Sequence, residues 1–210
     1  MSNLGLFIGL PIGILGFLFL FWRRLKEDYP SNQIFSFAFT ILAFLLLGFF
    51  IGLSAHTIKD TSYFTPRGLW FWGLFILGAV GFALANLKFK LRFFETLEAG
   101  GLGFIFLVSA LYLTNLIHPF DIKLFIFSLL TVLLLPTFFF LDNKYKTFSW
   151  YKSGKIGFAG LAILGTFFLM RCLVALLNPS MISFIGKVDA MADVLVAFTF
   201  FFTLFNLSGN

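Results

Sequence analysis

The sequence places a single guanidinium inside an apolar segment. Arg171 is the only charged residue in the run 156–177, and it stands six positions before the end of that run, roughly 9 Å along a helix. Burying this side chain in a bilayer costs at least ~2.5–3.5 kcal/mol, so it normally has a partner or a ligand. It could form an ion pair with Asp193, which enters the next apolar run from the same side. It could also clamp a lipid phosphate, whose oxygens a guanidinium binds in pairs.

Other polar and aromatic residues fall at the same level of the predicted bundle. His118 is the candidate general base, although a lone histidine at a helix end is more often structural. Tyr112 and Asn115 could hydrogen-bond a head group, while Trp72 is also typical of an interfacial aromatic belt. Asn178 follows the run that holds Arg171 and is most simply a helix stop. If these groups form one site, we expect that site to open to the outside.

Composition indicates the elements that must position these residues. The chain has 210 residues, of which 60% are apolar and 11% are charged, and its mean hydropathy is +1.00. Soluble domains are about 45–50% apolar and about 25% charged, so an integral membrane protein is indicated. A single cysteine, Cys172, excludes an internal disulfide, and two histidines leave no His/Cys cluster for zinc. We therefore expect neither a metal nor a cofactor.

Seven apolar runs are long enough, or nearly so, to cross about 30 Å of hydrocarbon as helices. They cover residues 4–22, 34–55, 69–87, 99–117, 124–141, 156–177 and 191–207. Continuous runs of this length favour helices over barrel strands, and Pro136 is expected to kink the fifth helix. Glu95 and Glu98 precede the fourth run, and we expect them to lie in solvent at its N-terminus. The predicted fold is a single all-α membrane domain with seven transmembrane helices.

The basic residues predict the orientation of these helices. Ten of the 15 Lys and Arg residues lie in the first, third and fifth connections, and four lie in the others. The positive-inside rule therefore places the N-terminus outside and the C-terminus in the cytoplasm. This clustering indicates topology rather than a nucleic-acid-binding stripe, so no nucleic-acid partner is expected. Arg23 and Arg24 follow the first run, which favours a retained helix over a signal peptide.

Three segments carry a resemblance to a known family. The segment 68–78 reads GLWFWGLFILG, and LKFKLRFFETLEA follows at 87–99. Together they resemble the third helix and the next loop of the prolipoprotein diacylglyceryl transferases, with Gly73 at a motif glycine and Trp72 at the place of a histidine. In the fourth run, Asn115 matches a motif asparagine and Tyr112 stands at the place of an arginine. His118 begins a His-Pro dipeptide similar to the one that introduces the family's fifth helix.

The sixth run gives the better match to this family. The segment 165–179 reads GTFFLMRCLVALLNP and is similar to the family's Arg-Phe-x-x-Glu-x-x-Arg pattern. Arg171 matches the first arginine of that pattern. Ala175 replaces the glutamate, and Asn178 replaces the second arginine.

The resemblance implies a seven-helix enzyme of the bacterial inner membrane. Such enzymes move diacylglyceryl from phosphatidylglycerol to the cysteine of a prolipoprotein signal peptide. Arg171 would then bind the phosphate, and His118 and Tyr112 would carry the catalysis. The implied substrate-binding residues besides Arg171 are Asn115, Gly73, Asn178 and Trp72.

Two other functions stay open at the level of sequence. Because several motif residues are replaced, the chain could be a non-catalytic relative that binds phospholipid or acts as a scaffold. A small transporter is less favoured, since ion or proton coupling normally needs several ionisable groups inside the membrane. Only Arg171 and Asp193 lie within the predicted spans.

Overall fold

A computed structural model of the chain describes residues 3–54, 69–116, 121–149, 151, 156–177 and 187–209. Within those ranges the regular structure is helical and no β-strand occurs. The long helices are α1 (Asn3–Leu25), α2 (Ser31–Ser54), α3 (Leu69–Phe89), α4 (Phe93–Asn115), α5 (Ile122–Lys144), α6 (Phe158–Leu177) and α7 (Lys187–Gly209). A short 3-10 helix, Tyr145–Thr147, follows α5.

The outside of the bundle is apolar along all seven helices. Each helix is long and apolar enough to cross a membrane, by length and composition. Large hydrophobic side chains point outward, and Phe7 and Leu177 are more than 80% exposed. Soluble monomers rarely expose continuous apolar surface of this kind. The predicted all-α architecture of seven apolar helices is confirmed, and it indicates a multi-pass membrane protein.

Several helices are longer than the uncharged runs that predicted them. The clearest case is α4, which begins at Phe93 rather than at residue 99. The expectation that Glu95 and Glu98 lie in solvent is wrong, because they are only 3% and 1% exposed. Both carboxylates are hydrogen-bonded, Glu95 to Tyr29 and Glu98 to Arg24, so α4 can begin before them and still bury them. Pro136 lies inside α5, which continues as a helix to Lys144.

The helices pack in pairs around a central helix. α1 lies along α4, α2 along α3, and α6 along α7, while α4, α5 and α6 contact one another. α4 is the most buried of the seven. The closest approach of α2 and α3 is at Gly48 and Gly73, where a Cβ on either glycine would collide with the carbonyl of the other. Small residues at such crossings are typical of membrane helix packing.

Two polar clusters mark the two ends of the bundle. At the Arg24 end, α1 and α5 finish where α4 and α6 begin, and side chains of these helices bond to one another. At the Arg171 end, α6 finishes where α3 and α7 begin. The bundle between the two clusters is filled by apolar and aromatic side chains.

Candidate functional site

Arg171 lies near the end of α6, and its side chain is fully buried. Its Nε donates to Oδ1 and Oδ2 of Asp193 at 3.0 and 3.2 Å. Asp193 belongs to α7 and is also fully buried. The ion pair that was one interpretation of the sequence is therefore present, and it joins α6 to α7.

A second carboxylate lies one turn earlier on α7. Oδ2 of Asp189 is 4.0 Å from Nη2 of Arg171, and its Oδ1 accepts a hydrogen bond from Nε1 of Trp72 at 2.7 Å. Trp72 is in the first turn of α3, so this bond joins α3 to α7. Cζ of Arg171 also lies 3.7 Å from the centre of the Phe71 ring, in a cation–π contact. Arg171 is thereby held by residues from both neighbouring helices.

Some donors of this cluster have no acceptor among the described residues. Nη1 and Nη2 of Arg171 and the buried hydroxyl of Tyr112 on α4 make no hydrogen bond of regular geometry with the described residues, although Nη2 lies 4.0 Å from Oδ2 of Asp189. Tyr112 lies close enough to Arg171 to interact with it electrostatically, and its ring packs against Trp70 and Phe127. Buried polar groups nearly always have a partner. The Tyr112 hydroxyl and the outer nitrogens of Arg171 are therefore hydrogen-bonding groups of the same buried cluster.

The net charge of the cluster restricts which acceptor would fit. One guanidinium faces the carboxylates of Asp189 and Asp193, so the three groups together are formally negative. A phosphate would add a further negative charge where the dielectric constant is low. A neutral acceptor, such as an ester carbonyl or water, would not. The arrangement suits a neutral acceptor better than the phosphate that the family resemblance implies.

The structure describes the other predicted site residues only in part. Gly73 lies at the crossing of α2 and α3, where it permits close packing. Asn115 is the last residue of α4, and only its backbone is described. His118 and Asn178 lie outside the described residues. The described residues contain no group of three His, Cys, Asp or Glu side chains that could hold a metal ion.

An apolar cleft lies between α3 and α7, in the half of the bundle toward the Arg24 end. Its volume is about 300 Å³, it is partly open to the outside of the bundle, and its lining is almost wholly apolar. The lining includes Phe75 and Phe82 of α3, Phe93 and Gly100 of α4, and Phe200 and Thr203 of α7. Small-molecule sites commonly have volumes of about 300–1,000 Å³ and apolar walls. No pattern in the sequence predicts this cleft.

Aromatic rings separate the cleft from the Arg171 cluster. Phe75 lines the cleft, and its ring centre lies 4.8 Å from that of Phe168 and 6.4 Å from that of Phe71. Phe168 in turn contacts Phe200, another lining residue, at 6.0 Å. Since Phe71 lies against Arg171, the rings form a continuous layer between the polar and the apolar site.

The Arg24 end holds a second buried carboxylate with several partners. Oε2 of Glu98 accepts from Nη2 of Arg24 at 2.6 Å. Its Oε1 accepts from the backbone N–H groups of Gly157 and Gly160 at 3.1 and 3.3 Å, at the start of α6. An acidic group is favourable there because the N–H groups at a helix start have no partner within the helix. Glu98 therefore fastens α1, α4 and α6 to one another.

A smaller set of hydrogen bonds joins the α1–α2 connection to the start of α4. The hydroxyl of Tyr29 donates to Oε2 of Glu95 at 3.0 Å and accepts from the backbone N–H of Arg92 at 3.2 Å. Nη1 of Arg92 donates to Oε1 of Glu95 at 2.8 Å. Burial is the main cause that raises the pKa of Tyr29 above its usual value.

Comparison with known proteins identifies no relative for this chain. No family model, no curated protein and no solved structure matches it.

Proposed function

We propose that this is a multi-pass membrane protein that binds a membrane lipid, with an acyl chain held in the cleft between α3 and α7. The observation that carries this proposal is the cleft itself, a partly open apolar space of about 300 Å³ within the apolar part of the bundle. Burying hydrocarbon against such walls is favourable through dispersion contacts that an empty space forfeits. Lipid binding was one of the functions that the sequence left open, and we propose the bacterial cytoplasmic membrane as its setting.

The shape of the lining supports a flexible chain as the occupant. Aromatic rings of α3, α4 and α7 form the walls, and Gly100 leaves room where a side chain would otherwise stand. A Cβ added to Gly100 would meet nothing closer than 3.8 Å. Thr203 contributes little polarity, because its hydroxyl donates to the carbonyl of Thr199 at 2.7 Å. The cleft offers no hydrogen-bonding pattern that would select a polar molecule.

The test is to fill the cleft and measure the lipid that stays bound. Thr203→Phe places a ring in the space, so we expect lipid retained through purification in mild detergent to fall on the order of tenfold. Native mass spectrometry counts the bound lipids directly. Unchanged retention in Thr203→Phe would contradict the proposal.

A matched control exists on the outside of the bundle. Thr166 on α6 is exposed, and its hydroxyl donates to the carbonyl of Ala162 at 2.8 Å, as that of Thr203 does within α7. Thr166→Phe makes the same chemical change on a surface that bulk lipid covers. We expect it to retain lipid like the wild type, and an equal loss in both variants would count against a specific site.

Diacylglyceryl transfer from phosphatidylglycerol to a prolipoprotein signal peptide is the second candidate function. It is favoured by the position of the Arg171 guanidinium beside the Tyr112 hydroxyl, since Nη1 of Arg171 and that hydroxyl make no regular hydrogen bond to the described residues. Catalysis of this transfer needs positively charged side chains that stabilise the negative charge of the phosphate leaving group. Asp189 and Asp193 offset the positive charge of Arg171 here, which is why we rank this candidate second.

A lipidation assay separates the two candidates. Purified protein in phosphatidylglycerol vesicles would be incubated with a fluorescent peptide that carries the cysteine of a prolipoprotein signal peptide. A mass gain of one diacylglyceryl group that Tyr112→Phe reduces would establish transfer. No gain, beside an active transferase as positive control, would leave lipid binding as the function.

A further inference from the structure

We infer that the cleft selects a phospholipid with an anionic head group, taken from the leaflet at the Arg24 end and held there by the basic connection between α3 and α4. This inference rests on the proposed lipid-binding function and adds the leaflet, the head-group class and the residues that recognise it.

The position of the lining residues gives the leaflet. Phe93 is the first residue of α4, whereas Phe104 lies halfway along it, and both line the cleft. The cleft therefore runs from the Arg24 end to the middle of the bundle. Phe93 is half exposed, and its ring lies 5.5 Å from that of Phe82, so these two rings stand at the mouth of the cleft at the Arg24 end. The exposed lining residues Ala79 and Thr199 show that the cleft is also open sideways between α3 and α7.

Aromatic rings fill the bundle beyond the inner end of the cleft. The aromatic layer of Phe75, Phe168 and Phe200 lies there. Beyond it, the hydrogen bond from Trp72 to Asp189 holds the starts of α3 and α7 together. Because the cleft lies in the half of the bundle toward the Arg24 end, an acyl chain that fills it belongs to a lipid whose head group lies at that end.

The stretch of chain that leads to the mouth carries three basic residues within five positions. Lys88 lies in the last turn of α3, Lys90 directly follows that helix, and Arg92 immediately precedes Phe93. All three side chains are exposed. Lys90 has a φ of 52°, in the left-handed region, which turns the chain sharply between the two helices. Basic residues at this depth attract anionic lipids.

The acidic groups near the mouth compensate Arg92 but not the two lysines. Glu95 is buried and is bonded to Arg92 and Tyr29, and the exposed Asp28 also acts on Arg92. Lys88 and Lys90 make no ion pair with any described residue, while Nζ of Lys88 lies 5.2 Å from the centre of the Phe89 ring. An anionic head group at the mouth would find two lysines without a carboxylate partner.

The experiment compares two lipids with the same acyl chains. The full-length protein in mild detergent would be titrated with dioleoyl-phosphatidylglycerol and with dioleoyl-phosphatidylcholine, and bound lipid counted by native mass spectrometry. We expect the wild type to prefer phosphatidylglycerol. The double variant Lys88→Gln/Lys90→Gln should lose that preference, by on the order of tenfold for two lysines, and keep its affinity for phosphatidylcholine.

A matched pair of lysines at the same end controls for general attraction. Lys144 ends α5 and Lys146 lies in the 3-10 helix that follows it; neither element lines the cleft, and Nζ of Lys146 also lies over a ring, that of Tyr145. We expect Lys144→Gln/Lys146→Gln to keep the preference. Equal loss in both double variants, or equal binding of the two lipids by the wild type, would overturn the inference and leave the proposed function intact. Binding of neither lipid would overturn both.

Discussion

Nε1 of Trp72 donates a hydrogen bond to Oδ1 of Asp189 at 2.7 Å, and this bond joins the first turn of α3 to the first turn of α7. The same two helices form opposite walls of the apolar cleft further along the bundle. The bond therefore sets how far apart α3 and α7 stand at the Arg171 end. Asp189 is in turn near the Arg171 guanidinium, so the cleft and the charged cluster share one support.

Removing this bond should loosen the cleft without removing the aromatic ring. We expect Trp72→Phe to lower the free energy of unfolding by about 1–2 kcal/mol, because the buried Asp189 loses a donor. Lipid exchange from the cleft should also become faster, since α3 and α7 can separate more easily. Exchange of a labelled phospholipid, followed by fluorescence, measures the rate. A rate equal to that of the wild type would show that the bond does not govern access.

The buried charges of Arg171 and Asp193 depend on each other. We expect Arg171→Ala to destabilise the bundle by about 3–5 kcal/mol, since Asp193 would stay buried without its partner. The double variant Arg171→Met/Asp193→Leu removes both charges and should be markedly more stable than the single variant. Thermal unfolding in detergent gives the comparison. A double variant no more stable than Arg171→Ala would show that these side chains matter for another reason than their charge.

We expect Glu98 to contribute more to the free energy of unfolding than a solvent-exposed acidic residue near a helix start would. Glu98→Gln keeps an oxygen acceptor for the start of α6 and loses the charged partner of Arg24. We expect a loss of about 1–3 kcal/mol, as for a hydrogen bond between charged groups that are partly buried. Glu27→Gln is the control, because Glu27 is exposed. Similar unfolding temperatures for the two variants would contradict this assignment.

The sequence predicts the seven helices from the length of the apolar runs, and it offers the pairing of Arg171 with Asp193 from their charges. Seven long apolar runs predict seven helices, because backbone groups in a bilayer must bond within their own segment. Arg171 and Asp193 are opposite charges at the same depth of consecutive helices, so their pairing was one of two open interpretations. The bond between Trp72 and Asp189 was not foreseen, since nothing in the pattern says that α3 and α7 approach each other.

Two features could not be predicted from the sequence: the burial of carboxylates at helix ends, and the apolar cleft. Glu98 stands where an acidic residue normally lies in solvent and favours the helix dipole. Its burial depends on α1 and α6 arriving beside it, which is a property of tertiary packing. The cleft depends on gaps between side chains of several helices. In a chain with 35 Phe residues, no apolar position is distinguished from another as lining or filling.

Alanine substitutions at two glycines distinguish a tightly packed helix crossing from the open space of the cleft. A Cβ on Gly48 would collide with the backbone of Gly73, whereas a Cβ on Gly100 would lie at ordinary contact distance from Phe82 and Phe21. We expect Gly48→Ala to force α2 and α3 apart and destabilise the protein by about 1–3 kcal/mol, as overpacking does. Gly100→Ala should leave stability unchanged or raise it by up to about 1 kcal/mol, since alanine is the better helix former. Unfolding in detergent compares the two, and a loss in Gly100→Ala as large as in Gly48→Ala would show that the space beside Gly100 is filled.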